Sequence, residues 1–181
     1  MKAVVASLLA VPALLVAQVP KVAPPDAPWR VVVAPSGEPG EPLLISGVVF
    51  GEDGRTPLRG ASVYVYQTDA RGIYNPANLR DSDNPRLRGY LRTDAQGRYE
   101  FRTVRPGSYP ATRNPGHIHY HVSGPGYRER VFEIVFEGDT LIPSRWIEDA
   151  KRPDAGVAIV KLEPNAGQGF RGVQNVTLRR E

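Results

Sequence analysis

The residues with the clearest capacity for chemistry are two histidines in the segment Tyr109-Pro110-Ala111-Thr112-Arg113-Asn114-Pro115-Gly116-His117-Ile118-His119-Tyr120. Successive side chains of a β-strand point to opposite faces, so His117 and His119 share one face and Ile118 points the other way, into a core. Imidazole nitrogen is a ligand for iron, copper, nickel and zinc. Two imidazoles on one face, entered through Pro115-Gly116, look like half of a metal site. For His-x-His by itself, two half-buried strand histidines without a metal is the plainer reading. The company the pair keeps has to tip the balance. His121 lies on the same face one repeat further along and reads as structural, while Tyr120 faces the core with Ile118.

A strand needs a sheet, and the sequence supplies one. From Leu43 onward, short apolar or alternating runs are separated by Gly, Pro, Asp and Asn. Strands are expected over 43–50, 61–67, 90–93, 98–104, 117–123, 131–136, 157–162 and 173–178. Asp94-Ala95-Gln96-Gly97 reads as a hairpin turn. Only 144–151 (SRWIEDAK) reads as a short helix. About eight short strands with turn-rich connections predict an all-β fold, an antiparallel β-sandwich over residues 43–181. Tyr64, Tyr66 and Tyr99 fall within strands and are expected to pack there without a chemical role. Two connections are long for a sandwich, 69–86 and 103–116. Each carries a tyrosine, Tyr74 and Tyr109, and long ordered loops on a rigid scaffold are where function concentrates.

The flanks and the composition exclude several classes. Residues 1–18 begin with one Lys and continue as an apolar run too short and too proline-broken for a spanning helix, which predicts a removed export signal and an exported, periplasmic or secreted protein. Residues 19–42 are rich in Pro, Ala, Val and Gly and read as an extended arm, pinned by Trp29 and suited to exchange between subunits of a homo-oligomer. The chain has no cysteine, so disulfides and thiolate metal sites are excluded. The net charge of +4 is small and dispersed, without the basic, aromatic-interleaved patch of a nucleic-acid site; at most it favours anionic aromatic acids weakly. No second apolar run predicts a membrane span.

Gly72-Ile73-Tyr74, Thr93-Asp94-Ala95-Gln96-Gly97-Arg98-Tyr99, Arg105-Pro106-Gly107-Ser108-Tyr109-Pro110 and Pro115-Gly116-His117-Ile118-His119-Tyr120 follow one another in order. In order and spacing they resemble the intradiol ring-cleavage dioxygenases of the catechol and protocatechuate type, over roughly 43–178. The resemblance implies a prealbumin-like sandwich and non-haem Fe(III) held by Tyr74, Tyr109, His117 and His119. Phenolate is a hard anionic donor that suits ferric iron, and a bound metal favours the deprotonated ligand in spite of a free tyrosine pKa of about 10. The resemblance further implies a small aromatic diol and O2 as reactants and a muconic-type diacid as product. In that scheme Tyr109 is the ligand that leaves and serves as a base, while Tyr74 stays bound.

Two places depart from the family pattern. Many members have an arginine three residues before the first histidine ligand. Asn114 stands there in this chain, with Arg113 beside it, and Arg113 is expected to turn into the pocket and stabilise developing charge. Many carry a glutamine on the next strand, where this chain has Glu133. A competing resemblance, carried by Gly60 to Val65, Thr93 to Phe101 and Val104 to Gly107, is to transthyretin-like and carboxypeptidase-regulatory modules. Such a module binds a partner or glycan and does no chemistry. It accounts for the strands and turns but gives no reason for Tyr74 or His-Ile-His.

Overall fold

A computed structural model describes residues 19–79 and 81–181; the expected export signal lies outside the described residues. In chain order the elements are β1 (Arg30–Val32), β2 (Pro42–Phe50), β3 (Ser62–Gln67), β4 (Leu87–Arg92), β5 (Arg98–Val104), β6 (His117–Gly124), β7 (Tyr127–Phe136), α1 (Ser144–Asp149), β8 (Val157–Val160), β9 (Glu163–Pro164), β10 (Phe170–Val173) and β11 (Val176–Thr177). They form two sheets. One runs β1-β5-β2-β10-β9 with β11 also on β2, and the other runs β4-β3-β6-β7-β8. The all-β sandwich is as the sequence predicts, with more strands and with pairings that are not all antiparallel. β1 on β5, β10 and β11 on β2, and β8 on β7 are all parallel pairs.

The differences have local causes. The run 173–178 is one strand in the sequence pattern; in the structure it holds only the last residue of β10, Val173, and the two residues of β11. At the break, Gln174 O takes the Tyr99 hydroxyl at 2.5 Å and Asn175 Oδ1 takes the Val48 amide at 3.0 Å. The chain there presses so close to Gly47 that a Cβ would sit 1.9 Å from Gln174 O. The arm at 19–42 holds β1 and is bonded to its own sheets. Arg92 reaches Ala23 O at 2.5 Å and Pro24 O at 3.1 Å, Tyr90 reaches Pro20 O at 2.7 Å, and the Ala23 amide donates to Ser62 Oγ at 2.8 Å. Proline lacks a donor but keeps its carbonyl, so a proline-rich segment can still be fixed by side chains that donate to it. Trp29 contributes as expected, with the guanidinium of Arg30 3.8 Å from its ring centroid and that of Arg98 at 5.1 Å.

The core lies between the sheets. Leu43, Ile45, Val49, Tyr99 and Phe101 face Val63, Val65, Ile118, Tyr120, Val122, Phe132 and Ile134. Each such side chain contributes roughly 1.5–3 kcal/mol by leaving water, so the orientation of β6 is strongly fixed. A one-residue slip would put Ile118 and Tyr120 outside and the histidines in the core. The alternation that buries Ile118 therefore also determines where His117 and His119 point. On the outer face of the same sheet Tyr64, Tyr66 and Tyr74 form a second buried cluster, with Tyr90 and Tyr109 packed against it.

Candidate metal centre

Four side chains converge over the outer face of β6. Tyr74 Oη is 2.5 Å from Tyr109 Oη and 2.6 Å from His119 Nε2; Tyr109 Oη is 3.0 Å from His117 Nε2; the two Nε2 atoms are 3.1 Å apart. All four residues that the family resemblance picks out as ligands are thus brought together. Neighbours fix both imidazoles from behind. His117 Nδ1 lies 2.7 Å from Pro115 O, and His119 Nδ1 lies 3.2 Å from a Glu133 carboxylate oxygen. With Nδ1–H donated to Pro115 O, His117 presents an Nε2 lone pair inward, and the carboxylate beside Nδ1 of His119 favours the same tautomer there.

The tyrosines arrive on two loops that brace each other. In the first, residues 68–86, the Asp69 carboxylate accepts the Arg71 and Ile73 amides at 2.9 and 3.0 Å, folding Asp69-Ala70-Arg71-Gly72 into a tight turn ahead of Tyr74. Tyr74 is then tied through its amide to Leu79 O at 3.2 Å and through its carbonyl to the Arg86 amide at 2.9 Å. In the second, residues 105–116, Tyr109 opens a turn in which Thr112 donates from both its amide and its hydroxyl to Tyr109 O, at 3.2 and 3.0 Å. The loops meet where Gly107 donates to Asp69 O at 2.9 Å and Thr68 Oγ1 donates to Gly107 O at 3.0 Å.

The donor set suits a highly charged cation. Two inward-facing nitrogen lone pairs 3.1 Å apart repel each other unless phenol protons or a cation lie between them, and a cation can satisfy both at once. Burial, followed by the neighbouring His117, pushes the His119 pKa down to about 3, so this imidazole is neutral and able to offer its Nε2 lone pair. Burial raises the pKa of the Tyr74 and Tyr109 phenols, so a strongly charged ion is what would draw their protons. Two oxygens and two nitrogens, with no thiolate, form the hard set that ferric iron takes.

A cavity of about 440 Å³ opens onto the tyrosines and His119, walled by Tyr66, Leu79, Pro110 and Thr112. Tyr66, expected to be mere packing, lines it and stacks flat on His119 with ring centroids 4.3 Å apart and planes 10° apart. The signal was available: once Val63 and Val65 are assigned to the core, alternation puts Tyr64 and Tyr66 on the histidine face. Burial pushes the Tyr66 pKa up to about 12, which keeps it a neutral phenol. His121 stands apart from the ligands, bonded to Glu129 at 3.0 Å. Arg113 is exposed and is not among the residues lining the cavity, and Asn114 is half-buried with its carbonyl taken by the Ser108 hydroxyl.

A family model described as Dioxygenase matches residues 23–175. Catechol 1,2-dioxygenase 2 of Acinetobacter lwoffii is 37% identical over 123 residues, covering 58% of this chain and 43% of that protein. The protocatechuate 3,4-dioxygenase beta chain of Burkholderia cepacia is 37% identical over 118 residues, covering 59% of this chain and 50% of the relative. The chain belongs to the intradiol dioxygenase family. It spans about half the length of these curated relatives, or less. Among solved structures, the dioxygenase domain of a dioxygenase–carbohydrate-binding fusion from Streptomyces sp. SirexAA-E superposes with a TM-score of 0.64 at 29% identity. That match covers 87% of this chain and 92% of the domain. Intradiol dioxygenases are non-haem iron enzymes, and the reading of this chain as a non-catalytic binding module is not favoured.

Proposed function

We propose that this protein is a ferric intradiol dioxygenase that takes a small aromatic diol and O2 and yields a muconic-type diacid. The observation that carries the reading is the convergence of Tyr74, Tyr109, His117 and His119 on one point at the mouth of a cavity. These four would hold Fe(III), which supplies, when bound, an electron-poor centre that activates a catecholate toward oxygen. The chain's own residues do the rest. Tyr109 Oη is the ligand better placed to yield its position and accept a catechol proton, because Tyr109 is half-exposed on a turn whereas Tyr74 is buried. Tyr66, Leu79 and Pro110 give the diol an apolar wall, and the closed face of β6 keeps water from its other side. Arg113, on the same loop as Tyr109, supplies positive charge from outside the cavity lining.

Two measurements test this. The protein loaded with ferric iron shows a broad tyrosinate-to-iron charge-transfer band and a reddish colour, and with catechol it consumes equimolar O2 while muconate-type absorbance grows. A colourless loaded protein, or iron and colour without oxygen uptake, defeats the proposal. We further propose export, on the strength of the apolar run within residues 1–18. The N-terminus of the mature protein should then lie near Gln18, and a mature chain still beginning at Met1 would refute it.

A further inference from the structure

We propose that Glu133 is a positioning residue of the centre and that its negative charge sets the donor strength of His119. The inference rests on reading the site as a ferric centre. The two histidines are backed by unlike groups. His117 Nδ1 faces a neutral carbonyl, Pro115 O, at 2.7 Å, whereas His119 Nδ1 faces a carboxylate at 3.2 Å. Strand register produces the asymmetry. β7 sets Glu133 directly across from His119 and Val135 across from His117, so only one of the pair can receive an acidic neighbour. On the other side β3 sets Tyr66 across from His119, and its ring covers the imidazole face. His119 is thus held on three sides: Tyr66 on its face, Glu133 behind, the phenols ahead.

Glu133 is not a ligand in this arrangement. Its carboxylate and the imidazole nitrogens of His117 and His119 lie within 4.8 Å of one another, a spacing that by itself fits a shared ion. Yet Glu133 sits at Nδ1, while the inward-facing atom of His119 is Nε2, and one imidazole cannot turn both nitrogens on one ion. What remains is action through His119. A carboxylate beside Nδ1 favours the Nδ1–H tautomer and makes the ring a better donor. A negative charge close to the centre also favours the more highly charged state of a bound metal. An amide in place of the carboxylate could present the same acceptor oxygen but would bring no charge. Glu133 therefore separates orientation from electrostatics, and each can be read on its own.

The test compares wild type, Glu133→Gln and Glu133→Ala, first metal-free and then loaded with ferric iron. Nitrogen-15 spectra of the metal-free proteins read the His119 tautomer. The Nδ1–H form is expected in wild type and in Glu133→Gln, with the Nε2–H form gaining in Glu133→Ala. After loading, Glu133→Ala should hold iron about 10- to 100-fold less tightly. Glu133→Gln should retain iron but show a displaced visible band and a more positive ferric/ferrous potential, which a residue that only packs would not move. An Nε2–H tautomer in wild type, or a band and potential unchanged in Glu133→Gln, overturns the proposal. A wild type that takes up no ferric iron overturns the ferric reading and with it the charge half of the proposal, while the metal-free tautomer still decides the positioning half.

Discussion

The loops that deliver the two tyrosines solve the same problem with different rigidity. Loop 68–86 holds Tyr74 by backbone bonds on both sides and leaves it 3% exposed, on a turn organised by the buried Asp69 carboxylate. Loop 105–116 holds the Tyr109 backbone, among the described residues, through its carbonyl, at the head of an exposed turn where Ala111 takes a positive φ of 60°. Both hydroxyls reach the same point, 2.5 Å apart. The difference lies in what it costs each to leave. Moving Tyr74 means opening backbone bonds on both sides of a buried ring, whereas Tyr109 can swing on a surface turn. On the proposed ferric reading, the contrast favours Tyr74 as the permanent ligand and Tyr109 as the exchangeable one.

The largest effect should come from removing the fixed partner. Tyr74→Phe deletes an oxygen that nothing nearby replaces, so ferric iron should be lost during dialysis and turnover should fall by on the order of 10²-fold or more. Metal analysis before and after dialysis, with oxygen-electrode rates, checks both. Iron and rate retained in Tyr74→Phe would break the comparison at its stronger end.

A second substitution tests whether the loops depend on each other. Gly72 sits at φ +81°, where a Cβ would lie 1.9 Å from Ser108 O on the facing loop. Gly72→Ala must therefore push the Tyr109 loop away or unwind the Tyr74 turn. We expect a loss of roughly 2–4 kcal/mol in stability, from backbone strain plus the clash, and a weakened visible band at unchanged ligand identity. Thermal denaturation and the spectrum of the loaded protein read these separately. A Gly72→Ala protein as stable and as coloured as wild type would mean the loops are independent.

Tyr109→Phe should do less than either. The resting spectrum changes because one phenolate is gone, yet the catechol complex should look close to wild type, since the lost ligand is the one expected to be displaced. Turnover should fall by about 10- to 100-fold, as one proton acceptor is removed. Catechol-bound spectra that are the same in Tyr74→Phe and Tyr109→Phe would erase the distinction between the loops.

How much of this was legible in the sequence follows the physics of each part. The face of His117 and His119 was readable because strand alternation is rigid and Ile118 and Tyr120 had to be buried. The two tyrosine loops stood out by length and composition, although only the family resemblance linked Tyr74 and Tyr109 to the histidines. β1, β9 and all but the last residue of β10 were missed: strands of two to four residues leave almost no periodic signal, and Arg30–Val32 owes its place to contacts with Gly89 and β5 rather than to its own pattern. The parallel pairings were hidden because period-2 patterns do not encode strand direction. Tyr66 was set aside because a strand tyrosine usually packs, and its stacking on His119 depends on register, which emerges only when β3 and β6 align.

The smallest expected effect belongs to Arg113, and it sharpens the comparison at the exchangeable end. The family pattern leads one to expect a cation near this position, and Arg113 is one residue from it. A buried guanidinium aimed at developing charge would be worth on the order of 10²-fold in rate. Arg113 is exposed, however, and does not line the cavity. A solvated charge acts through high dielectric and is screened over about 8–10 Å at moderate salt. Its influence should therefore reach the approach and positioning of an anionic diol more than the chemical step. Arg113→Ala should lower kcat/KM about 2- to 5-fold at low salt, with kcat nearly unchanged and the deficit fading as salt rises. Arg113→Lys should restore most of it, because a screened point charge needs no planar fork. Steady-state kinetics with catechol at two ionic strengths decide the matter. A loss near 10²-fold in kcat that salt does not erase would mean that the Tyr109 turn closes over the substrate and carries Arg113 inside, making this loop still more mobile than its partner than burial alone implies.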